Sequence, residues 1–413
     1  MGAILQGASV ARRRRTVGSL GRACYRPREK EAEAVIRDAS AIPPDARAVL
    51  TINLGALRAN WDALNRAAGR AECAGVIKAD AYGLGIDKIA TALAAEGCTT
   101  FFVATLTEAR IVRLAHPAAR IFVLDGLLPG AAAYYTGFDL CPCLSSLDEV
   151  REWAAWCDAT GRRLRAALHI DTGMNRLGLS QADVEQLAGP ERALFSSFEL
   201  TLVMSHLACA DVPDHPMNRE QLARFEARRA KLPPAPASLA NSGGVFLGPE
   251  YHFDLVRPGI ALYGGRALEG HPNPMRWVVR LQARILQVRK LTAGEPIGYG
   301  ATFQAARDSH VATLACGYAD GFLRALSSPT GRPGPVGYID NQPVPVIGRV
   351  SMDLITVDVT DVPAKSACRG AWVEVLGART TIDDLTDRAG TIGYELLTRL
   401  GRRVHRIYAD GDA

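Results

Sequence analysis

No uninterrupted apolar stretch in this chain approaches the roughly 18 residues that a membrane-spanning helix needs. Surplus charge of one sign is scarce too. The net charge is +5, and Arg12, Arg13, Arg14 and Arg15 supply most of it. Without that patch the remainder is close to neutral, which argues against a nucleic-acid partner. Metal-ligand spacing is also missing: Cys141 and Cys143 stand too close together for zinc, and no second pair of Cys or His lies nearby. The nine cysteines are odd in number and scattered over 413 residues. They read as reduced, core-packing thiols of a cytoplasmic protein rather than as a disulfide framework or a metal site.

What is present is the composition of a globular protein, 48% hydrophobic and 22% charged. The length allows two or three domains, or one barrel with a smaller module. Residues 1–46 differ from the rest and read as an N-terminal extension. Its arginines have no apolar core behind them, so a secretory signal is not expected. An Arg-rich start suits an organellar transit peptide, but a disordered extension or an early start codon is the better reading.

From Thr51 the pattern becomes regular. Residues 52–68 carry Leu54, Leu57, Trp61 and Leu64 at helical spacing. Short apolar strands are expected at 73–78, 101–104, 120–124, 140–144, 164–170, 200–204, 237–240 and 254–256. Helical runs fall between several of them, at 86–95, 107–114, 146–157 and 218–231. Strands alternating with helices imply βαβ units and a parallel sheet. Eight of them predict a closed, TIM-like (β/α)8 barrel over 47–280, whose chemistry sits at the C-terminal ends of the strands. An open doubly wound sheet is the alternative, weakened because no Gly-x-Gly-x-x-Gly turn follows the first strand. Beyond residue 280 the texture changes to short strands punctuated by Gly, Pro and Asn, which predicts a β-rich domain over 281–413.

Polar residues follow the barrel strands. The first ends in Lys78 and Tyr82, the fifth in Asp171 and Arg176, and the sixth in Ser205 and His206. The seventh ends in Asn241 and Ser242, and the eighth in Arg257, Pro258 and Gly259. Lys78 alone could snorkel to the surface, and His206 alone could be a satisfied core histidine. Asn241-Ser242-Gly243-Gly244 and Pro258-Gly259-Ile260 could be ordinary turns. Together they suggest an amine with a lowered pKa beside a phosphate cradle, in the place where barrels commonly hold phosphate. A phosphate-bearing cofactor joined to a lysine is pyridoxal 5'-phosphate.

At this point a resemblance becomes visible. The segment VIKADAYGLG (76–85) resembles the cofactor-attachment signature of bacterial alanine racemases. DTGMNRLG (171–178), RPGIALYG (257–264), GYGATF (298–303), GYADG (317–321), GRVSMD (348–353) and GTIGYE (390–395) also match, in family order. The likeness spans roughly 47–408.

The resemblance implies a barrel followed by a β-rich domain, in a homodimer whose active sites join one subunit's barrel to the other's second domain. It implies Lys78 as the Schiff-base lysine. Tyr82, Ser242, Tyr394, Gly259 and Ile260 would hold the phosphate, Arg257 would face the pyridine nitrogen, and His206 would support the ring. Arg176 would approach the cofactor and the substrate carboxylate. Tyr299 and Met352, with Asp353 beside it, would arrive from the partner subunit, and Tyr318 would line the entrance. The implied activity is interconversion of L- and D-alanine, supplying D-alanine for peptidoglycan in a bacterial cytoplasm.

Elementary chemistry agrees with those roles. Racemisation removes a proton from one face of Cα and delivers one to the other, which suits two opposed bases, Lys78 and Tyr299. An arginine against the ring nitrogen gives up no proton, so the cofactor is a weaker electron sink and side reactions are disfavoured. One departure stands out. Many relatives carry a carbamylated lysine seven residues before the strand-five arginine, and here that position is His169. Histidine forms no such carbamate, so Arg176 must be positioned by other means. The rival readings are a serine or broad-specificity racemase of the same fold, a decarboxylase (against which Arg257 counts) and a non-catalytic carrier (against which Tyr299 and the second domain count).

Overall fold

The computed structural model describes residues 42–411, and the N-terminal extension considered above lies almost wholly outside them. The chain enters as a strand, Ala48–Asn53, with Val49, Leu50 and Ile52 fully buried. Sequence patterning starts the first helix at Ile52, but the helix begins only at Leu54, and Ile52 and Asn53 end the strand. Asn53 caps it, its side-chain oxygen accepting from Ala56 N at 2.9 Å. The strand does not join the barrel. It pairs antiparallel with Val279–Leu291 and parallel with His405–Ala409, both of the second domain. Those partners lie more than 200 residues away, so nothing local announces the pairing.

Helix Leu54–Ala68 buries Leu57, Trp61 and Leu64 on one face and leads into the barrel. The first barrel strand is split into Glu72–Cys73 and Gly75–Val76. Strands Thr100–Val103, Arg120–Val123, Cys141–Leu144, Arg165–His169, Glu199–Met204 and Ala237–Ser238 follow, each pairing parallel with the one before it. The eighth, Leu255–Val256, pairs parallel with Glu72–Cys73. Asp254 N donates to Ala237 O at 3.0 Å and Arg257 N to Ala240 O at 2.9 Å, linking it back to the seventh strand. The expected eight-stranded barrel therefore closes.

Helix starts are written into the sequence. Thr105 and Glu108 form a capping box for Leu106–Ala115, as Ser180 and Asp183 do for Gln181–Ala188. The Glu108 carboxylate also accepts from Asp80 N at 3.2 Å, which ties this cap to the loop after the first strand.

The second domain is an eight-stranded sheet. Its order is Ser309–Leu314, Ile355–Asp358, Gln342–Ile347, Val336–Ile339, Trp372–Leu376, Val279–Leu291, Ala48–Asn53 and His405–Ala409. Strand Val279–Leu291 runs 13 residues and serves three neighbours, with register shifts near Leu281 and Ile285. Such bulges let one long strand bend between partners. Buried side chains from both domains form one continuous cluster, so the two pack as a unit. Helix Gly393–Thr398, unforeseen in the sequence, lies against the turn at Lys78–Gly83.

Candidate active site

Lys78 follows the first barrel strand directly, and the backbone then does something costly. Ala79, Asp80, Ala81 and Tyr82 have φ of 54°, 55°, 52° and 58°, one left-handed helical turn without a glycine among the four. Each such residue costs roughly 1–2 kcal/mol, and strain of this kind persists only where the surroundings over-determine it. Ala81 N donates to Ile77 O at 2.9 Å, and the Asp80 carboxylate accepts from Ile86 N at 2.9 Å. The turn delivers Tyr82 into the interior, between Tyr263 (ring centroids 4.5 Å) and Tyr394 (5.8 Å).

Burial pushes the Lys78 amine below its usual range and the Arg176 charge adds to this, with Asp125 and Glu108 opposing. A depressed amine is the form required for attack on a carbonyl.

A cradle faces it. The Ser242 hydroxyl oxygen accepts from Gly259 N at 2.8 Å and Ala261 N at 3.4 Å, where a short 3-10 helix, Ile260–Tyr263, begins. A methyl group at Gly259 would overlap the Tyr82 hydroxyl, so a side chain there would fill the cradle. Three hydroxyls (Tyr82, Ser242, Tyr394) and convergent backbone N–H groups are the donor set that an anion such as phosphate requires. Burial raises the Tyr82 phenol strongly and lifts that of Tyr394 to about 12. Both therefore stay protonated as donors at neutral pH.

Arg257 is buried at the end of the eighth strand. Its Nη1 donates to Ser238 Oγ and its Nη2 to Ser205 O at 2.5 Å, with the guanidinium carbon 5.7 Å from the Phe102 ring centroid. Burial pulls it down to about 10, still cationic at neutral pH. Half-buried His206 is driven well below its usual pKa by burial, then by the charges of Arg257, Lys78 and Arg176. His169 stands on the fifth strand, 3.4 Å through Nδ1 from Ser145 Oγ. Burial, with Arg257 next, lowers it to about 4. Both imidazoles are neutral at physiological pH.

A model of the alanine racemase N-terminal domain matches residues 52–267, and one of the C-terminal domain matches 278–408. An alanine racemase from Rhodospirillum rubrum is 50% identical over 365 residues, covering 88% of this chain and 96% of its own. One from Rhizobium meliloti is 48% identical over 372 residues, covering 88% and 97%. The chain belongs to the alanine racemase family. The crystal structure of the Bartonella henselae alanine racemase with covalently bound pyridoxal phosphate superposes with a TM-score of 0.83 at 39% identity, covering 88% of this chain and all of that one. The biosynthetic alanine racemase of Pseudomonas aeruginosa gives 0.80 at 34%, covering 88% and 99%. The family consists of pyridoxal-phosphate-dependent racemases, and the barrel with its β-rich second domain is the family fold.

The racemase motifs fall into two groups in space. Lys78, Tyr82, His206, Ser242, Arg257, Gly259, Ile260 and Tyr394 converge at the C-terminal rim of the barrel, Tyr394 arriving from the second domain of the same chain. Arg176 is exposed at the edge of that rim, in a loop that the Asp171 carboxylate folds by accepting from Gly173 N and Asn175 N. The remaining motif residues stand apart. Tyr299 is 72% exposed and Met352 54%. Tyr318, Met352 and Asp353 lie on two loops joined by Tyr318 N to Ser351 O and Ala319 N to Met352 O, both 3.0 Å. Arg403 fastens the pair, its guanidinium reaching Asp320 at 3.0 and 3.1 Å and Asp353 at 2.8 Å. Among the described residues, no hydrogen bond, ion pair or ring contact joins Tyr299, Tyr318 or Met352 to the Lys78 rim.

Sequence reasoning missed a support for the Arg176 loop. Gln221 is fully buried on helix Pro216–Arg229; its amide donates to Thr172 Oγ1 (3.0 Å) and His206 O (2.9 Å) and accepts from Ala208 N (2.8 Å). Arg224 and Arg228, three and seven positions on, donate to the carbonyls of Thr172 and Asp171. Three polar residues along one helix stripe look like a solvated face. Only the fold shows the loop they hold.

Proposed function

We propose that this chain interconverts L- and D-alanine, with pyridoxal phosphate carried on Lys78. The observation that supports this best is the cradle in which Gly259 leaves room for the Tyr82 hydroxyl beside Ser242, next to a lysine of lowered pKa. Bound there, the cofactor supplies an electron sink for the carbanion at the substrate's Cα.

The chain's own residues do the rest. Tyr82, Ser242, Tyr394 and the N–H groups of Gly259 and Ile260 would hold the phosphate. Arg257 would face the ring nitrogen as a pure donor and would leave it unprotonated, which makes a weaker electron sink. His206, neutral, would support the ring. Arg176 orients the substrate carboxylate, with Met352 N–H and Asp353 beside it and Tyr318 narrowing the entrance to suit a small side chain. Lys78 moves the proton on one face of Cα. Tyr299 of the partner subunit moves it on the other.

A homodimer follows from the same reading. Tyr299, Tyr318 and Met352 are exposed large side chains that a second copy would cover. Among the described residues no helix is long and apolar enough to cross a membrane. The setting we infer is a bacterial cytoplasm, where D-alanine feeds peptidoglycan. The test is an absorbance spectrum of the purified chain with pyridoxal phosphate, then enantiomer interconversion assays on alanine and serine. A lysine-bound cofactor band with alanine preferred is expected. Preference for serine would change the substrate, and the absence of any band would sink the reading.

A further inference from the structure

The left-handed turn at 79–82 has its beginning tied inside the barrel, but its exit is held from the far end of the chain. Arg406, on the last strand, donates through Nη2 to Gly83 O at 3.0 Å, across 323 positions. The Tyr408 hydroxyl donates to the next carbonyl, Leu84 O, at 2.9 Å. Arg406 gives its remaining bonds to Leu400 O (3.1 Å), Gly401 O (3.1 Å) and Val404 O (3.4 Å). Those carbonyls belong to the loop leaving helix Gly393–Thr398, which presents Tyr394 to Tyr82. One guanidinium therefore fastens together the exit of the strained turn and the segment that stacks against its last residue.

The seats are shaped to match. Gly83 has φ +82°, and a Cβ there would lie 2.8 Å from Leu397 O. A Cβ at Gly85 would overlap the Tyr408 hydroxyl. The planar fork of arginine suits several carbonyls at once, which lysine's single ammonium does not. A bond of this kind opposes relaxation of a turn whose four residues would each prefer to unwind.

We infer that Arg406, assisted by Tyr408, is a positioning residue for the cofactor: by locking the exit of the left-handed turn it keeps Lys78 and Tyr82 in place. Neither residue touches the cradle, so the effect passes through the backbone of Gly83 and Leu84. The inference rests on the function proposed above.

The experiment is an absorbance titration of the full-length chain, stripped of cofactor, with pyridoxal phosphate, run beside thermal melting. Arg406→Ala is expected to raise the dissociation constant about tenfold or more, and Tyr408→Phe about three- to fivefold, with Arg406→Lys between them. Glu374→Gln is the control. It breaks the Arg280–Glu374 pair in the same sheet. It should lower the melting temperature and leave the dissociation constant within about twofold. If Arg406→Ala melts earlier but binds cofactor as the wild type does, Arg406 is only glue between domains and the inference is overturned. Should Arg406→Ala fail to fold, unchanged binding in Tyr408→Phe overturns it equally. A wild-type chain that takes up no pyridoxal phosphate would overturn the proposed function itself, a distinct result.

Discussion

The rim of the barrel and the rim of the second domain carry equally recognisable motifs, yet one is finished and the other is not. At the barrel, Tyr82 is enclosed by Tyr263 and Tyr394, Ser242 holds Gly259 N and Ala261 N, and Arg257 is bonded on two sides. At the second domain, Tyr299 and Met352 face outward, although Arg403 ties the Met352 loop to the Tyr318 loop through Asp353 and Asp320. Such a loop is not slack, and on the function proposed above its outward face is the one that a second copy would cover.

Complementation tests the difference between the two rims most severely. Lys78→Ala should abolish both the cofactor band and activity, and Tyr299→Phe should lower activity on the order of 10²–10³-fold while keeping the band. Mixed and allowed to exchange subunits, the two variants should regain about a quarter of wild-type activity. Half of the dimers would be mixed, and each mixed dimer would hold one intact site if sites are shared. No recovery after verified exchange would place Tyr299 and Lys78 in one chain or remove Tyr299 from the chemistry. A narrower test concerns direction. Solvent-isotope exchange at Cα in Tyr299→Phe should slow for one enantiomer far more than for the other. Equal slowing would argue against two opposed bases.

On the finished side, Gly259→Ala should weaken pyridoxal phosphate binding about tenfold, because the new methyl overlaps the Tyr82 hydroxyl. Unchanged binding in a titration would mean the cradle is looser than its geometry. The smallest effect concerns acid. His169 titrates at about 4 in the fold against about 6.5 unfolded. The unfolded chain therefore takes up the proton first, and this contribution is whole above about 6.5 and lost as the pH falls towards 4. Replacing His169 with Gln should remove on the order of 2–3 kcal/mol of that slope in denaturant unfolding followed between pH 7 and 4. His206, lowered in the same direction, leaves a residual slope. A variant with the wild-type slope would show that His169 is not buried as drawn.

Much of the barrel rim was legible because its chemistry requires particular residues at particular strand ends. Lys78, Arg257 and Ser242 each close a short apolar run, and the eight runs could be counted. The left-handed turn was not legible: Ala79, Asp80, Ala81 and Tyr82 contain no glycine to announce a positive φ, and apart from the local bond to Ile77 O the groups bonded to it and to its exit, Glu108 and Arg406, are remote in sequence. Gln221 was missed for a related reason. Its partners sit on two different loops, so its meaning exists only after folding. His169 showed the reverse case, an absence noticed in the sequence: the structure places a neutral imidazole there, bonded to Ser145, while the helix row of Gln221, Arg224 and Arg228 holds Asp171 and Thr172 in the neighbouring loop.

The first strand has a consequence for synthesis. Ala48–Asn53 leaves the ribosome before any barrel residue, yet both of its neighbours in the sheet are made later, and His405–Ala409 comes last among the described strands. At roughly 5–20 residues per second, an apolar strand waits tens of seconds with its edges bare. The helix behind it and the barrel can form meanwhile, but this sheet cannot be completed until His405–Ala409 has been made. Removal of the segment from His405 onward would thus leave Ala48–Asn53 unpaired on one edge, and it would release the turn after Lys78 from Arg406 in the same stroke.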